Sequence, residues 1–251
     1  MSGGLRGVAA VAPLSAFPAD GLGSVRARRL DQVERVLIAD DHPLVRDGLR
    51  TVISVAFDQC ELFEASSIEE AMGVIEREGD FDLVLLDLNM PGTMGFSGLQ
   101  AIRDHFPSVP VVIVSAAQER GLVRNALAHG AAGFIPKSLK RSAIVDALKS
   151  ILAGELYTPD DFDEGEESID AAEADILQRI DTLTPQQRVV LGCIVSGKLN
   201  KQIAYELDVS MTTVKAHVSA ILAKLNVFSR TQAVIMVNKV NFVAPPARPH
   251  N

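Results

Sequence analysis

Between residues 35 and 154, short and unbroken apolar runs alternate with longer stretches in which apolar residues recur at helical spacing. Unbroken apolar runs are typical of strands that are buried on both faces of a parallel sheet, and the stretches between them predict the helices that cover those faces. The predicted strands are 36–39, 60–63, 83–86, 111–114 and 133–135, and the predicted helices are 43–56, 67–78, 97–105, 118–128 and 140–153. The pattern therefore predicts an α/β domain over residues 33–154, built on a doubly wound, five-stranded parallel sheet.

Residues 183–243 show a second pattern that contains only helical segments. The run Leu183-Thr184-Pro185 is typical of a helix start, with Thr184 as the N-cap. A three-residue turn, 208–210, separates two of the segments, as in a helix-turn-helix. The predicted helices are 185–196, 200–207, 211–226 and 230–240, which together indicate a small all-α helix-turn-helix domain.

The third of these helices has two unlike sides. At about 100° per residue, one side is apolar and predicts packing on the core of the domain. The other side is a strip of small residues with cationic edges. The strip holds Thr212, Ala216, Ser219, Ala220 and Ala223, and the edges hold Lys215, His217 and Lys224. Such a helix suits close approach to the major groove of DNA, and a solvated bundle helix is the alternative.

The net charge of −8 argues by itself against a nucleic-acid partner, but the charge is unevenly distributed. Residues 183–243 carry seven basic and two acidic residues, a net charge of +5, whereas residues 155–182 carry one basic and eleven acidic residues, a net charge of −10. This asymmetry is typical of a chain with one nucleic-acid-binding part. We expect 155–182 to be an acidic linker with a short helix, 1–32 to be a flexible extension and 244–251 to be a tail.

The chain has only two cysteines, Cys60 and Cys193, and no apolar run approaches the ~18–20 residues that a membrane span needs. Two cysteines without a CxxC motif argue against a disulfide scaffold or a structural zinc site. We therefore expect a protein of a reducing compartment such as the cytoplasm, with no membrane partner.

Polar side chains follow four of the five predicted strands. Asp40 and Asp41 follow the first strand, Asp87 the third, Ser115 the fourth and Lys137, after one proline, the fifth. Because the carboxyl ends of parallel strands meet at one edge of the sheet, we expect these side chains to lie close together. Three carboxylates repel one another unless cations join them, and oxygen ligands suit Mg²⁺.

With Lys137 and one Mg²⁺ the three negative charges are balanced, and the set suits phosphoryl transfer to a carboxylate nucleophile. Taken singly, Asp41 and Ser115 also fit helix caps, and Lys137 also fits a surface charge. Their joint placement at the strand ends favours the functional interpretation.

These residues stand in runs that resemble the receiver domain of bacterial two-component response regulators. The matching runs are 39–42, 87–92, 114–116 and 133–137. The resemblance implies a flavodoxin-like fold in which Asp87 accepts phosphate from a sensor histidine kinase. The loop 92–99 is longer and richer in glycine than is usual, which leaves its shape open.

The same resemblance implies a role for each residue of the set. Mg²⁺ would be held by Asp40, Asp41, Asp87 and the backbone carbonyl of Asn89. Ser115 and Lys137 would contact the bound phosphoryl group, and Ser115 and Phe134 would form the switch pair. The domain would catalyse only its own phosphorylation and dephosphorylation, so the protein is not expected to be an enzyme.

Residues 183–242 resemble the LuxR-type DNA-binding domain of NarL and FixJ regulators, through the runs 183–185, 200–204, 213–218 and 229–233. Gln187 stands where an acidic residue is usual, and Asp208 stands where a glycine is usual. The last helix is expected to form a dimer contact on DNA. The implied DNA contacts are Asn200, Lys201, Thr213, Lys215, Ala216, His217 and Ser219.

Together the two resemblances imply a DNA-binding response regulator whose phosphorylation controls dimerisation and promoter binding. The implied partners are a sensor histidine kinase, promoter DNA, RNA polymerase and a second copy of the chain, at least when the protein is phosphorylated or bound to DNA. Two alternatives stay open. One is a phosphorelay or interaction protein whose helical module binds no DNA, and the other is a transcription factor that does not respond to phosphorylation.

Overall fold

The computed structural model describes residues 33–117, 119–153, 155, 157–158, 169–240 and 242. The predicted extension, most of the predicted linker and the predicted tail lie outside the described residues. Within the described part of the chain, no single helix combines the length and the apolar composition that would cross a membrane; one bent pair, Met211–Leu225 with Arg230–Asn238, passes that test by length and composition only.

The first domain is a parallel sheet covered by helices on both faces. Its strand order is β2-β1-β3-β4-β5, and this order makes the sheet doubly wound, as the alternating pattern predicts. The strands are β1 (Arg35–Ala39), β2 (Glu61–Ala65), β3 (Leu83–Leu86), β4 (Val111–Ser115) and β5 (Gly133–Pro136). The helices are α1 (Pro43–Ala56), α2 (Ile68–Glu78), α3 (Ser97–His105), α4 (Arg120–Ala128) and α5 (Arg141–Leu152).

Alternate residues of each strand enter two separate cores. On β1, Leu37 packs with α2, α3 and α4, whereas Val36 and Ile38 pack with α1 and α5. This explains why the strands read as unbroken apolar runs, because both of their faces are covered. Because the strands are parallel, the polar residues that follow β1, β3, β4 and β5 lie at the same edge of the sheet.

Residues 169–240, the described part of the second domain, form five helices around one core: α6 (Ile169–Asp181), α7 (Pro185–Val195), α8 (Asn200–Glu206), α9 (Met211–Leu225) and α10 (Arg230–Asn238). Helix α6 lies in the stretch assigned to the linker, where a short helix was expected. Its Ile176 and Ile180 are buried in the same core as Leu183 and Leu222. The helical domain therefore begins its packing before residue 183.

The turn between α8 and α9 has the geometry of a helix-turn-helix. Asp208 has a φ of 51°, the left-handed conformation for which glycine is usual and which aspartate tolerates better than most residues. Ser210 then caps α9, its Oγ accepting the backbone N–H of Thr213 at 3.0 Å. At the start of α7, Thr184 and Gln187 form a reciprocal capping box, which confirms the predicted helix start.

Candidate functional site

The structure brings the predicted acidic residues together at the carboxyl edge of the sheet. Asp40 and Asp87 are buried, with exposed fractions of 1% and 4%. The ammonium of Lys137 lies 2.7 Å from Oδ2 of Asp40 and 3.0 Å from Oδ2 of Asp87. Asp40 follows β1, Asp87 follows β3 and Lys137 follows β5, so the carboxyl ends of three strands build one pocket.

Electrostatics fixes the protonation of Lys137. Burial acts to lower the pKa of its ammonium, but the hydrogen bonds and charges of Asp40 and Asp87 outweigh burial and raise the pKa above the usual value. The ammonium is therefore positively charged over the physiological range and available to bind an anionic oxygen.

The pocket fits a divalent cation. Oδ1 of Asp87 is buried and has no hydrogen-bond partner among the described residues, so one carboxylate oxygen is left available for a ligand. Three carboxylates and one ammonium leave a formal charge of −2, which one Mg²⁺ would balance. Donor atoms of Asp40, Asp41, His42 and Asp87 all lie within 4.8 Å of one another.

His42 is a neighbour that the sequence did not single out. Its Nδ1 lies 2.7 Å from Oδ1 of Asp41 and 3.3 Å from Oδ1 of Asp40. The position of His42 directly after Asp40 and Asp41 could have indicated this contact. Because Mg²⁺ prefers oxygen ligands to imidazole, the sequence predicts only the carboxylates as metal ligands. Asn89, whose backbone carbonyl is a predicted ligand, is exposed on the loop after β3.

The predicted switch pair is on adjacent, hydrogen-bonded strands. Ser115 ends β4 and is 1% exposed, and its Oγ accepts the backbone N–H of Ala117 at 3.2 Å. Phe134 on β5 has no exposed surface and packs in the core formed with α2, α3 and α4. The ring is therefore turned inward in this structure.

The predicted DNA-contact residues of α8 and α9 fall into two groups. Thr212, Thr213 and Ala216 are exposed, and His217 and Ser219 are half-buried. The second group lies against the first domain and consists of Asn200, Lys201 and Lys215.

The cations of the helix-turn-helix meet carboxylates at the amino edge of the sheet. Lys201, whose side chain is only 12% exposed, lies 3.4 Å from Oε1 of Glu34 and 3.6 Å from Oδ2 of Asp82. Lys215 forms an ion pair with Asp80. Nδ2 of Asn200 donates to the carbonyl of Ser108 at 3.5 Å, a long and weak hydrogen bond. We call this arrangement of the two domains the closed arrangement.

A second contact joins Phe228, in the loop before α10, and Gln232, in the first turn of α10, to α3 and α4. The guanidinium of Arg103 lies 4.4 Å from the centre of the Phe228 ring, and Nε2 of Gln232 donates to the carbonyl of Leu127 at 2.5 Å. Gly130 adjoins Phe228 so closely that a Cβ on it would lie 2.7 Å from the Cβ of Phe228.

Lys224, a predicted edge residue of the DNA-facing strip, makes its contacts inside its own domain. Its ammonium donates to the carbonyl of Thr182 at 2.9 Å and to Oε1 of Gln187 at 2.8 Å. Gln187 thus provides a neutral hydrogen bond at the position where the acidic residue of the pattern is missing. Lys224 fastens the start of α7 to α9.

Both halves of the chain match known protein families. Residues 36–149 match the model of the response regulator receiver domain, and residues 181–237 match the model of the bacterial regulatory proteins of the luxR family. The glycerol metabolism activator of Pseudomonas putida is 43% identical over 215 residues, which cover 84% of this chain and 97% of that protein.

The chain is also similar to a second curated protein and to a solved structure. The nitrate/nitrite response regulator protein NarL of Escherichia coli K12 is 35% identical over 205 residues, which cover 81% of this chain and 94% of that protein. A crystal structure of a LuxR family DNA-binding response regulator from Silicibacter pomeroyi is 34% identical and has a TM-score of 0.46; the match covers 52% of this chain and 100% of that one.

Three observations indicate the same kind of protein. They are the acidic pocket of the first domain, the basic helix-turn-helix of the second domain and the extent of the sequence similarities. The chain belongs to the NarL-type response regulators, transcriptional regulators in which a receiver domain is joined to a LuxR-type DNA-binding domain.

Proposed function

We propose that this protein is a response regulator in which a phosphoryl group on Asp87 controls the binding of the helix-turn-helix to promoter DNA. The observation that carries the proposal is the buried Oδ1 of Asp87, which lies in the pocket of Asp40 and Lys137 and has no hydrogen-bond partner among the described residues. A carboxylate oxygen in this setting is a nucleophile that already faces a positive charge.

In the proposed reaction, Asp87 attacks the phosphorus atom of a phosphohistidine on a sensor kinase, and the bond between phosphorus and nitrogen breaks. Lys137 and Ser115 would then contact the phosphoryl oxygens. Mg²⁺, held by Asp40, Asp41, Asp87 and the carbonyl of Asn89, would supply Lewis-acid neutralisation of the transferred charge. We propose that this self-phosphorylation and its reversal are the only reactions that the chain catalyses.

The closed arrangement suggests how the reaction would control DNA binding. Lys201 and Lys215, both predicted to contact DNA, lie against acidic residues of the receiver. We propose that phosphorylation separates the domains and that two copies then bind paired half-sites, with the last helix as the dimer contact. RNA polymerase and the sensor kinase would be its partners in the bacterial cytoplasm, where such promoters are found.

Chemical phosphorylation tests the acceptor. Acetyl phosphate with Mg²⁺ should add one phosphoryl group to the intact protein, detected by mass spectrometry, and Asp87→Asn should abolish the addition because an amide cannot form the acyl phosphate. Asp47→Asn, which changes an exposed residue of α1, is the matched control and should be labelled like the parent protein. Labelling that persists in Asp87→Asn would exclude Asp87 as the acceptor.

A further inference from the structure

Arg230, the first residue of α10, is a buried cation that the sequence analysis did not assign to any role. Only 8% of its surface is exposed, and among the described residues it is the one lysine or arginine that is more than nine-tenths buried. Burying a guanidinium is costly unless an anion accompanies it. Its position therefore calls for an explanation.

The partners of Arg230 in this structure are few. Its Nη2 donates to the carbonyl of Lys198 at 2.7 Å, and among the described residues no carboxylate oxygen lies within 4.0 Å of its guanidinium. Burial lowers the pKa of Arg230 to about 10, although the charge of Asp82 acts in the opposite direction. A residue that only filled this space would be better apolar, because an apolar side chain of similar size loses no hydration on burial.

The surroundings of Arg230 are those of the DNA-facing residues. It lines one crevice together with Asn200, Met211 and Lys215 of the helix-turn-helix and with Asp80 and Asp82 of the receiver. Arg230 is thus on the surface that the closed arrangement covers. Separation of the two domains would expose its guanidinium beside two predicted DNA contacts.

The position of Arg230 in its helix points the same way. The N-terminus of an α-helix carries a partial positive charge, which disfavours a cation and favours an anion. Ser229 already caps α10 by accepting the backbone N–H of Gln232 at 3.2 Å. Arg230 therefore adds positive charge to an end that is already positive, and such an end attracts an anion.

We propose that Arg230 binds a backbone phosphate of DNA when the helix-turn-helix is separated from the receiver. The inference rests on the proposed DNA-binding function and adds to it a residue that positions the module on the duplex without reading sequence. In the closed arrangement the same guanidinium is withdrawn from solvent against the receiver. A DNA phosphate would give the guanidinium of Arg230 a directly bonded anion, which it does not have in the closed arrangement.

The salt dependence of DNA binding tests the assignment, because each phosphate that a protein neutralises contributes about −0.9 to the slope of log K against log salt. The probe is a fluorescent, mixed-sequence DNA duplex, titrated at several salt concentrations with the full-length protein after treatment with acetyl phosphate and Mg²⁺. Arg230→Met fills the crevice without a charge, so we expect the variant to fold and to bind DNA more weakly. The magnitude of its negative slope should be smaller than that of the parent by about 0.9. Arg230→Lys keeps the charge and should keep the slope.

Arg188→Gln is the matched control, since the guanidinium of Arg188 pairs with Asp181 of its own domain at 3.0 Å. Its slope should equal that of the parent. An unchanged slope in Arg230→Met, or an equal reduction in Arg188→Gln, would overturn the assignment. If the parent binds no duplex at all, the proposed DNA-binding function fails instead. Thermal unfolding of each variant, followed by circular dichroism, separates loss of a contact from loss of the fold, and Arg230→Gln repeats the test with a polar neutral side chain.

Discussion

At the scale of single residues, Lys137 holds the receiver pocket together. Its ammonium lies within hydrogen-bond distance of two buried carboxylates, Asp40 and Asp87, that would otherwise repel each other. The raised pKa of Lys137 means that the folded protein binds this proton more tightly than the unfolded chain does. The stabilisation is therefore fully present below the unfolded pKa and is lost as the pH rises through the folded pKa.

Replacement of Lys137 by glutamine should lower the free energy of unfolding by about 1–3 kcal/mol at neutral pH, because two buried carboxylates lose their cation. The difference from the parent should begin to shrink as the pH rises above about 10.4, the ordinary pKa of lysine, because the unfolded parent then loses the proton. It should vanish only above the raised pKa, where the folded parent loses the charge as well. Urea unfolding between pH 7 and 11 measures both effects. Lys140→Gln, at an exposed position nearby, should unfold like the parent, and an equal loss in that variant would refute the account.

The residues of this pocket were predictable because strand ends place them. A parallel sheet brings the ends of β1, β3, β4 and β5 to one edge whatever the details of the loops, so Asp40, Asp87, Ser115 and Lys137 had to converge. The contact of Lys224 with Gln187 was not predictable in the same way. Helical periodicity gives the face on which a lysine stem lies, but a long side chain chooses its partner among groups that only the folded domain brings near.

At the scale of elements, each observed strand or helix begins and ends within about two residues of the predicted bounds, and β2 shows one physical cause of a difference. Strand β2 was predicted at 60–63 and is found at Glu61–Ala65. The predicted strand ends before Glu64, the second glutamate of the segment after Glu61. In the fold, Oε2 of Glu64 accepts a hydrogen bond from Nε of Arg46 on α1 at 3.0 Å, so the strand continues through it.

Gly197 shows how the end of one element controls the approach of two domains. It follows α7 with a φ of 73°, and a Cβ on it would lie 2.3 Å from the carbonyl oxygen of Ala153 at the end of α5. Gly197→Ala should therefore force the helix-turn-helix away from the receiver, in addition to the strain of about 1–2 kcal/mol that a left-handed alanine carries. We expect tighter binding of duplex DNA by the unphosphorylated variant, measured by fluorescence anisotropy.

Gly95→Ala is the control for strain alone. Gly95 also has a positive φ, 56°, but nothing lies within 4 Å of the position of its Cβ, and it belongs to the loop at the opposite edge of the sheet. Equal DNA affinities for the two alanine variants would show that the contact with Ala153 does not limit opening.

At the scale of the whole molecule, carboxylates of the receiver occupy positions beside the cations that are predicted to meet DNA. This pairing could not be predicted from the chain, because it depends on how two separately folded domains lie together and periodicity carries no such information. The largest surplus of acidic residues along the chain lies in residues 155–182, with a net charge of −10. The acids that contact Lys201 and Lys215 are instead Glu34, Asp80 and Asp82 of the receiver.

Neutralising the double pair Glu34→Gln and Asp80→Asn should open the resting protein. Asp82 is left intact because its Oδ2 also accepts the backbone N–H of Glu34 at 2.7 Å and so supports the fold. Small-angle X-ray scattering should show a larger radius of gyration, and duplex DNA should bind more tightly before phosphorylation. The double variant Asp47→Asn and Glu76→Gln changes the net charge equally at exposed positions and should keep the compact form; an equal expansion there would attribute the effect to net charge alone.

The two edges of the receiver sheet have different neighbours, and this has a consequence for the order of events. The amino edge is covered by the helix-turn-helix, whereas at the carboxyl edge His42, Leu44 and Met94 are exposed around the pocket of Asp87. Under the proposed function, a kinase would therefore reach Asp87 before the two domains separate. Phosphoryl transfer should proceed at the same rate in the closed and the opened protein. Phosphorylation would then come first, and the lysines of the helix-turn-helix would afterwards leave the receiver carboxylates and become available to DNA.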